Sequence, residues 1–400
     1  MPPTSVKLVN IIPQSMSHET NNDSEPNLTV NPSNPQLMAA SAFTPVQQGA
    51  APIFVSQDGG NTWVLSTVIP SDRITTDITL RFSGNGDTLY AGILPRPFTH
   101  TDPLGHAISS LNILRTKTPL GPAKMQVLVD RTGTQGVDQP YVEASSFQSG
   151  GTKRDIVLVG DNDANHPDGR TATIDVSTNA AATQHRFHAV RVDNRPPVDG
   201  FDAPSIRLAI HPEGILYGAF LNQVGGTNVS DLTYDVVVVR DDHRAGSANS
   251  FRDLLDPDDN VPGRRVVRNR VIPFLPPRGQ PGPLGQERIG SHLTIAVDPR
   301  AGKSATVYLA WADRVGIKDY TIHLLRSQDS GRTWSPNDLL TITNAVNPAL
   351  AINSERLRRA WPWLLGPRRI TSAAFIRPAR AARLALPRPW RVCGAWRRRP

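Results

Sequence analysis

Several features that would point to common protein classes are missing from this sequence. There is one cysteine, Cys393, so an intramolecular disulfide is excluded. No apolar run reaches about 18 residues, the length of a membrane-spanning helix, so no membrane span is predicted. The N-terminal residues lack the apolar stretch typical of a signal peptide, and the compartment stays open. Segments with a helical period are almost absent, which argues against an α/β fold.

Acidic residues are missing from one end of the chain, and this explains its net charge of +8. Residues 357–400 contain 12 arginines and no aspartate or glutamate, whereas residues 1–356 have a net charge of −4. The basic character therefore belongs to a tail and not to the body of the protein. The basic segment 263–270 of the body has no interleaved aromatic residues, so binding of nucleic acid is not predicted there.

Short segments with period-two alternation recur along the body of the chain, and such alternation indicates half-buried strands. Second and third strand-like runs follow most of them after Gly, Pro or Asn turns. The interval of 50–90 residues is that of propeller blades, which are typically four-stranded sheets. The six starting segments are EPNLTVNP (25–32), DITLRFSGNG (77–86), QPYVEASS (139–146), APSIRLAIHPEG (203–214), SHLTIAVDP (291–299) and NPALAINS (347–354).

Two octapeptides share the pattern Ser-x-Asp-x-Gly-x-Thr-Trp, namely SQDGGNTW (56–63) and SQDSGRTW (327–334). Each directly follows a predicted third strand. The pattern resembles the Asp box, or BNR repeat, of the sialidase-like (neuraminidase) β-propellers, and the resemblance covers about residues 25–354. It implies an all-β propeller, six-bladed in intact relatives, whose last blade is incomplete in this chain.

The residues of the two octapeptides are predicted to be structural. Aspartates can accept hydrogen bonds from N–H groups of the turn, glycines allow a backbone conformation that is costly for other residues, and tryptophans can bury a large ring. The predicted Asp-box residues are Ser56, Asp58, Gly60, Thr62, Trp63, Ser327, Asp329, Gly331, Thr333 and Trp334. More divergent boxes are predicted in residues 115–128 and 240–255.

The resemblance implies a glycoside hydrolase-like protein directed at sialylated or related glycans. Sialidases use three arginines for the substrate carboxylate, a tyrosine nucleophile with a glutamate partner, and an aspartate acid/base. The early segment VNPSNPQLMAASAF lacks the Arg-Ile-Pro-like motif of the family. The alternative is therefore a non-catalytic propeller that binds a glycan or protein at the channel mouth.

Candidate site residues follow from the predicted inner strands. Glu143 is the candidate catalytic partner, with a solvated carboxylate as the alternative interpretation. Arg81, Arg207 and Arg288 are the candidate substrate-binding arginines, with ordinary surface charge as the alternative because arginine suits carboxylates but is also common on surfaces. No cofactor and no metal are predicted.

Three further segments have their own interpretations. Residues 161–169, DNDANHPDG, resemble a calcium loop but lack the Gly and Glu of the EF-hand pattern, so an ordinary polar loop is favoured. Residues 242–290 are predicted to be an insertion between the fourth and fifth units, with a basic partner-binding loop (263–270) as the alternative. Residues 1–24 are predicted to be disordered.

The basic tail, residues 357–400, has no propeller-like alternation and holds four of the seven tryptophans. A membrane-surface segment and a nucleic-acid arm are two functional interpretations, although the prolines of the tail would interrupt a long amphipathic helix. Its Arg, Pro, Ala and Trp content is also typical of a shifted reading frame in GC-rich DNA. Translation of the other two frames is the measurement that separates these interpretations.

Overall fold

A computed structural model describes residues 9–12, 24–43, 52–66, 69, 75–95, 100–101, 104–105, 107–132, 136–166, 169–195, 206–226, 230–247, 249–272, 293–300, 306–314, 320–352 and 370–372. These residues form strands, turns and bends without a helix, and none of their segments is a helix that could cross a membrane. Arg288 and most of the basic tail lie outside the described residues.

The regular structure consists of short strands, most of which belong to four-stranded sheets. The strands are β1 (Ser24–Val30), β2 (Met38–Phe43), β3 (Ile53–Ser56), β4 (Val64–Ser66), β5 (Thr75–Phe82), β6 (Leu89–Pro95), β7 (His100–Thr101), β8 (Ala107–Ile108), β9 (Leu111–Thr116), β10 (Gln126–Arg131), β11 (Val137–Ser149), β12 (Thr152–His166), β13 (Gly169–Ser177), β14 (His188–Arg191), β15 (Arg207–Ile210), β16 (Leu216–Gly225), β17 (Thr233–Asp241), β18 (Arg264–Val271), β19 (Leu293–Val297), β20 (Val307–Arg314), β21 (Tyr320–Ser327), β22 (Leu340–Thr343), β23 (Ala351–Ile352) and β24 (Ile370–Ser372).

Five of the sheets have four strands each, in the order in which the chain passes through them. Their orders are β1-β2-β3-β4 (sheet 1), β5-β6-β9-β10 (sheet 2), β11-β12-β13-β14 (sheet 3), β15-β16-β17-β18 (sheet 4) and β19-β20-β21-β22 (sheet 5). Two-stranded sheets are formed by β7 with β8 and by β23 with β24. Up-and-down sheets of this kind are propeller blades. The prediction of an all-β propeller is confirmed, with five four-stranded blades among the described residues.

The chain divides into two compact units, Met1–Ile210 with Asp242–Ser250, and His211–Asp241 with Phe251–Pro400. In the first unit, apolar side chains lie between facing sheets. Ala39, Ile53 and Val55 of sheet 1 belong to one buried cluster with Ile78 and Leu80 of sheet 2. A second cluster joins the other face of sheet 2 to sheet 3, where its members include Tyr90, Leu111, Val142, Val157 and Val159.

The second unit has the same kind of core. Strand β17 is buried from Tyr234 to Asp241. In sheet 5, Tyr308, Ala310 and Leu324 form a cluster against which Leu350 and Ile352 pack. Ile352 belongs to β23, so the predicted sixth starting segment (347–354) contributes a strand that pairs with Ile370–Ser372 of the predicted tail.

The first strands of sheets 1, 2 and 3 are joined through side chains. Leu80 N–H donates to Asn27 Oδ1 at 2.8 Å, and Val142 N–H donates to Thr79 Oγ1 at 2.9 Å. Thr79 Oγ1 in turn donates to the Pro140 carbonyl at 3.1 Å. A buried N–H group at the edge of a sheet needs a hydrogen-bond acceptor. The side-chain oxygens of Asn27 and Thr79 are the acceptors here, because no further strand of the described chain pairs with these edges. The result is that β5 and β11 run side by side, which places their outward residues close together.

The structure differs from three sequence-based expectations. Residues 264–271 were assigned to an insertion, but they form β18, the outermost strand of sheet 4; as an exposed edge strand it lacks the alternation that would have revealed it. Strands β2, β13 and β14 were also not predicted. Within the segment expected to be disordered, Ile12 is buried against Ala42 and Phe54, because an apolar side chain covers exposed sheet surface there.

Candidate functional site

The strongest candidate site lies on the first strands of sheets 2 and 3, in the first unit. Arg81 Nη2 on β5 lies 3.1 Å from Glu143 Oε2 on β11. The same Nη2 donates to the Tyr141 hydroxyl at 3.4 Å. Tyr141 and Glu143 are two residues apart on one strand and so project from the same face. One guanidinium group therefore binds both side chains.

A second arginine completes this cluster. The guanidinium carbon of Arg207, on β15, lies 4.7 Å from the centre of the Tyr141 ring. This is within the range of a cation–π interaction. The cluster of Arg81, Tyr141, Glu143 and Arg207, called here the inner-strand cluster, thus comes from three consecutive first strands.

The charges of the inner-strand cluster influence one another. Burial raises the pKa of Glu143, and the ion pair with Arg81 offsets this only in part. Burial opposes the charge of Arg81, but Glu143 and Tyr141 outweigh it and raise the pKa of the guanidinium group. Arg81 pairs with Glu143, and the two guanidinium groups contact Tyr141 at different places, Arg81 at its hydroxyl group and Arg207 at its ring.

The sequence-based site residues can now be placed. The structure brings together Glu143, Arg81 and Arg207, whereas Arg288 lies outside the described residues. Sequence reasoning missed Tyr141, although the Tyr-x-Glu spacing on a predicted inner strand already placed both side chains on one face. The hydroxyl group and the aromatic ring of Tyr141 each contact one of the arginines.

The two octapeptides form turns with the same hydrogen bonds. They lie between β3 and β4 and between β21 and β22, the third and fourth strands of sheets 1 and 5. In both turns, the serine hydroxyl donates to aspartate Oδ1 at 2.8 Å, and the glycine N–H donates to the serine oxygen at 2.8 Å. The tryptophan Nε1–H donates to the glycine carbonyl at 3.1 Å in the first turn and 3.0 Å in the second.

The aspartates of these turns accept several hydrogen bonds from their own turn. Asp58 accepts the Thr62 N–H at 2.8 Å and the Thr62 hydroxyl at 2.7 Å. These bonds favour the carboxylate, and the Thr62 N–H contributes most to a pKa of about 2 for Asp58. Asp329 makes the equivalent bonds with Thr333, at 2.9 and 2.6 Å. Gly60 and Gly331 have φ values of 88° and 91°, a region that disfavours other residues.

A third turn of this kind was not predicted. At the end of β13, Asn179 N–H donates to Ser177 Oγ at 3.3 Å, and Arg186 N–H donates to Asn179 Oδ1 at 3.1 Å. Asparagine stands here at the place of the aspartate. Its side chain has one acceptor oxygen where a carboxylate has two. The turn therefore keeps some of the hydrogen bonds of the two octapeptides, although its sequence does not match their pattern.

We expect the Asp329→Ala substitution to lower the free energy of unfolding by about 1–3 kcal/mol, because the Thr333 N–H and the Ser327 and Thr333 hydroxyls lose their acceptor. Urea unfolding followed by tryptophan fluorescence measures the change. The control is Arg332→Ala, an exposed residue in the same turn, which should change stability by no more than about 0.5 kcal/mol. Equal effects of the two substitutions would contradict the structural role of Asp329.

The segment that resembled a calcium loop carries an ion-pair cluster with an arginine. Arg131 Nη2 lies 2.8 Å from Asp161 Oδ2 and 2.7 Å from Asp175 Oδ2, and Arg131 Nη1 lies 2.7 Å from Asp163 Oδ2. Burial, and then repulsion from Asp175, raise the pKa of Asp161. No group of three His, Cys, Asp or Glu side chains suited to a metal occurs in the described part of the chain.

The basic segment 263–270 is paired with an acidic residue within its own unit. The buried Asp256 accepts hydrogen bonds from the Arg265 backbone N–H at 2.7 Å and from Arg265 Nη2 at 3.0 Å. Arg268 Nη2 lies 3.2 Å from the same carboxylate. Hydrogen bonds from Arg265 outweigh burial and lower the pKa of Asp256. These contacts hold β18 to the loop before it.

Similarity to known proteins is found among solved structures and not among sequences. No protein-family model matches the sequence, and no curated protein matches it. Among solved structures, the α-L-arabinofuranosidase Arb93A from Fusarium graminearum has a TM-score of 0.47 at 11% identity, covering 81% of this chain and 82% of the other. The Trypanosoma rangeli sialidase has a TM-score of 0.44 at 13% identity, over 83% of this chain and 51% of the other. A thermostable family-43 glycoside hydrolase has a TM-score of 0.37 at 13% identity, over 79% and 94%.

Proposed function

We propose that the protein is a glycoside hydrolase-like propeller that acts on sialylated or related glycans at the inner-strand cluster. The observation that carries this proposal is that Arg81 and Arg207 converge on Tyr141, with Glu143 paired to Arg81. The planar guanidinium fork matches a carboxylate, and an acidic sugar presents one.

Tyr141 is the proposed nucleophile, because sialidases use a tyrosine where most glycoside hydrolases use a carboxylate. Its oxygen would attack the anomeric carbon as the glycosidic bond breaks, and water would then release the sugar. Glu143 is the proposed partner that accepts the phenolic proton, since its pKa is raised toward the range in which a carboxylate acts as a base. Arg81 contacts both groups and is proposed to hold them in place.

Glycan binding without turnover is the second candidate function, and a specific observation favours it. Where the resemblance places the first arginine of the family, this chain forms a turn around Asn31. The side chain of Asn31 donates to the Gly86 carbonyl at 2.8 Å and accepts the Ser33 N–H at 3.0 Å. Asn31 therefore connects sheet 1 to sheet 2. At the place where the family has the first of its three substrate-binding arginines, this chain has a structural asparagine.

We expect the Arg81→Leu substitution to weaken binding of N-acetylneuraminic acid about 10- to 100-fold, because a charge-assisted hydrogen bond is lost. Isothermal titration calorimetry measures the dissociation constant. The matched control is Arg154→Leu, an exposed arginine on β12, which should bind as the unsubstituted protein does. Equal affinity of the Arg81→Leu variant and the unsubstituted protein would contradict the proposed site.

Turnover of a fluorogenic sialoside separates the two candidate functions. The hydrolase predicts release of the fluorophore above a heat-inactivated control, and loss of that release in Tyr141→Phe with binding retained. Binding without any release would establish the second candidate. Absence of both binding and release would contradict the assignment to acidic glycans.

A further inference from the structure

Tyr141 is held by its backbone as well as by its side chain. On one edge of β11, Tyr141 pairs with Gly160 of β12. On the other edge, the hydroxyl group of Thr79 accepts the Val142 N–H at 2.9 Å and donates to the Pro140 carbonyl at 3.1 Å. One hydroxyl group of β5 therefore binds the peptide groups on both sides of Tyr141.

These hydrogen bonds lie where the strand ladder is interrupted. The register of β11 with β12 shifts between Asp138 and Tyr141, and irregularities of this kind re-aim side chains next to functional sites. Gln139, within the interruption, has a φ of 53°, a left-handed value that is uncommon for residues other than glycine. The regular ladder with β12 therefore stops at Tyr141, and Thr79 holds the Pro140 carbonyl on the interrupted side.

The same strand, β5, supplies the side chain that binds the hydroxyl group of Tyr141. Thr79 and Arg81 are two residues apart on β5 and so project from the same face. Arg81 Nη2 donates to the Tyr141 hydroxyl at 3.4 Å, while Thr79 binds the backbone on either side of Tyr141. The spacing of these two residues along β5 therefore relates the main chain of Tyr141 to the end of its side chain.

Strand β5 is itself held in a related way by sheet 1. Leu80 N–H donates to Asn27 Oδ1 at 2.8 Å, and Phe82 N–H donates to Thr29 Oγ1 at 3.1 Å. These two N–H groups flank Arg81 in the sequence. Side chains of one first strand therefore hold the backbone around a residue of the inner-strand cluster on the next first strand, and this happens twice in succession.

We propose that Thr79 is a positioning residue of the inner-strand cluster. Its hydroxyl group sets the orientation in which the hydroxyl of Tyr141 meets Arg81 and the ring of Tyr141 meets Arg207. The effect on turnover rests on the proposed function, in which Tyr141 attacks the anomeric carbon. Valine has the shape of threonine but no hydroxyl group, so Thr79→Val removes both hydrogen bonds with little change in volume, whereas Thr79→Ser keeps the hydroxyl group.

Fluorine NMR of the full chain labelled with 3-fluorotyrosine tests this orientation without any glycan. The chain has six tyrosines, and the resonance of Tyr141 is the one that Tyr141→Phe removes. We expect Thr79→Val to shift or split this resonance and Thr79→Ser to leave it in place. The matched control is Ser146→Ala, because the Ser146 hydroxyl also joins β11 to sheet 2, by accepting the Asn85 N–H at 3.1 Å. An unchanged Tyr141 resonance in Thr79→Val, or an equal change in Ser146→Ala, would overturn the proposal.

Kinetics with the fluorogenic sialoside test the consequence for turnover. We expect Thr79→Val to lower kcat at least about tenfold and to change the dissociation constant of N-acetylneuraminic acid by no more than about threefold, because a misplaced nucleophile reacts slowly while the arginines still bind the sugar. Thr79→Ser should restore kcat, and Ser146→Ala should not lower it. An unchanged kcat in Thr79→Val would contradict the proposal. If the unsubstituted protein does not turn over the sialoside, the proposed hydrolase fails, and the Tyr141 resonance decides the role of Thr79.

Discussion

Replacing Arg131 by leucine is expected to lower the free energy of unfolding by about 3–5 kcal/mol at pH 7, the typical cost of removing one partner from a buried ion pair. Arg131 contacts three aspartates, and two of them are buried almost completely, with 1% of the Asp161 side chain and 2% of the Asp175 side chain exposed. Without the guanidinium group, neighbouring negative charges remain in a poorly solvated region.

The same substitution should make stability depend on pH. Arg131 is one of the groups that lower the pKa of Asp161, so its removal should raise this pKa further above the ordinary value of 3.8. Because the folded state then binds protons more tightly than the unfolded state, stability increases as the pH falls from neutrality toward the unfolded pKa near 4. Urea unfolding at pH 7 and pH 5 measures this, and the Arg131→Leu variant should regain part of the loss at pH 5.

Two companion variants make this prediction specific. Asp161→Asn in the Arg131→Leu background removes one uncompensated charge and should restore part of the stability at pH 7, which a double-mutant cycle quantifies. Arg154→Leu removes an exposed arginine from the neighbouring strand and should have little effect. A loss below about 1 kcal/mol, or one of the same size at both pH values, would contradict the role assigned to Arg131.

Adding one methyl group at Gly160 is expected to lower the free energy of unfolding by about 3 kcal/mol, the upper part of the range for overpacking a core. A Cβ atom at this position would lie 2.2 Å from Ile206 Cγ2 and 2.7 Å from the Ile206 carbonyl oxygen. The carbonyl is part of the backbone and cannot rotate away as a side chain can. The strand that follows, β15, would therefore have to move.

The movement of β15 should also affect the inner-strand cluster. Arg207 directly follows Ile206, and Tyr141 pairs with Gly160 in the register of β11 and β12, so Gly160→Ala should separate Arg207 from the Tyr141 ring. We expect weaker binding of N-acetylneuraminic acid together with the lower stability. Gly225→Ala is the control, because the nearest atom to its Cβ would be 3.8 Å away. Similar stabilities of the two variants would show that β15 accommodates the methyl group.

The sequence was sufficient to predict the fold because the first strands of the blades alternate in burial. In β5, for example, Ile78, Leu80 and Phe82 are buried while Arg81 is only partly buried, and this is the pattern that identified the strand. The outermost strands are harder to identify. Strand β18 is only partly buried. Its arginines pair with Asp256 and do not pack into a core, so the strand has no apolar alternation.

The candidate site could be predicted only in part, for a different physical reason. Arg81, Glu143 and Arg207 were singled out because they lie on or beside predicted inner strands, from which they could approach the channel. Their convergence on Tyr141 depends on how β5, β11 and β15 are arranged side by side, and no local pattern contains that information. The partners of Asp161 were missed for the same reason, since Arg131 lies on the outermost strand of sheet 2 and Asp175 on the third strand of sheet 3.

The side-chain bonds between first strands have a consequence for how such a protein can change over evolution. Because Asn27 and Thr79 reach from one blade to the backbone of the next, neighbouring blades do not share a continuous main-chain ladder at that seam. A gene duplication that copies one repeat can therefore add a module if its first strand brings a short polar side chain at this position. The number of blades can then differ between related proteins, while the strand pairing within each blade is unchanged.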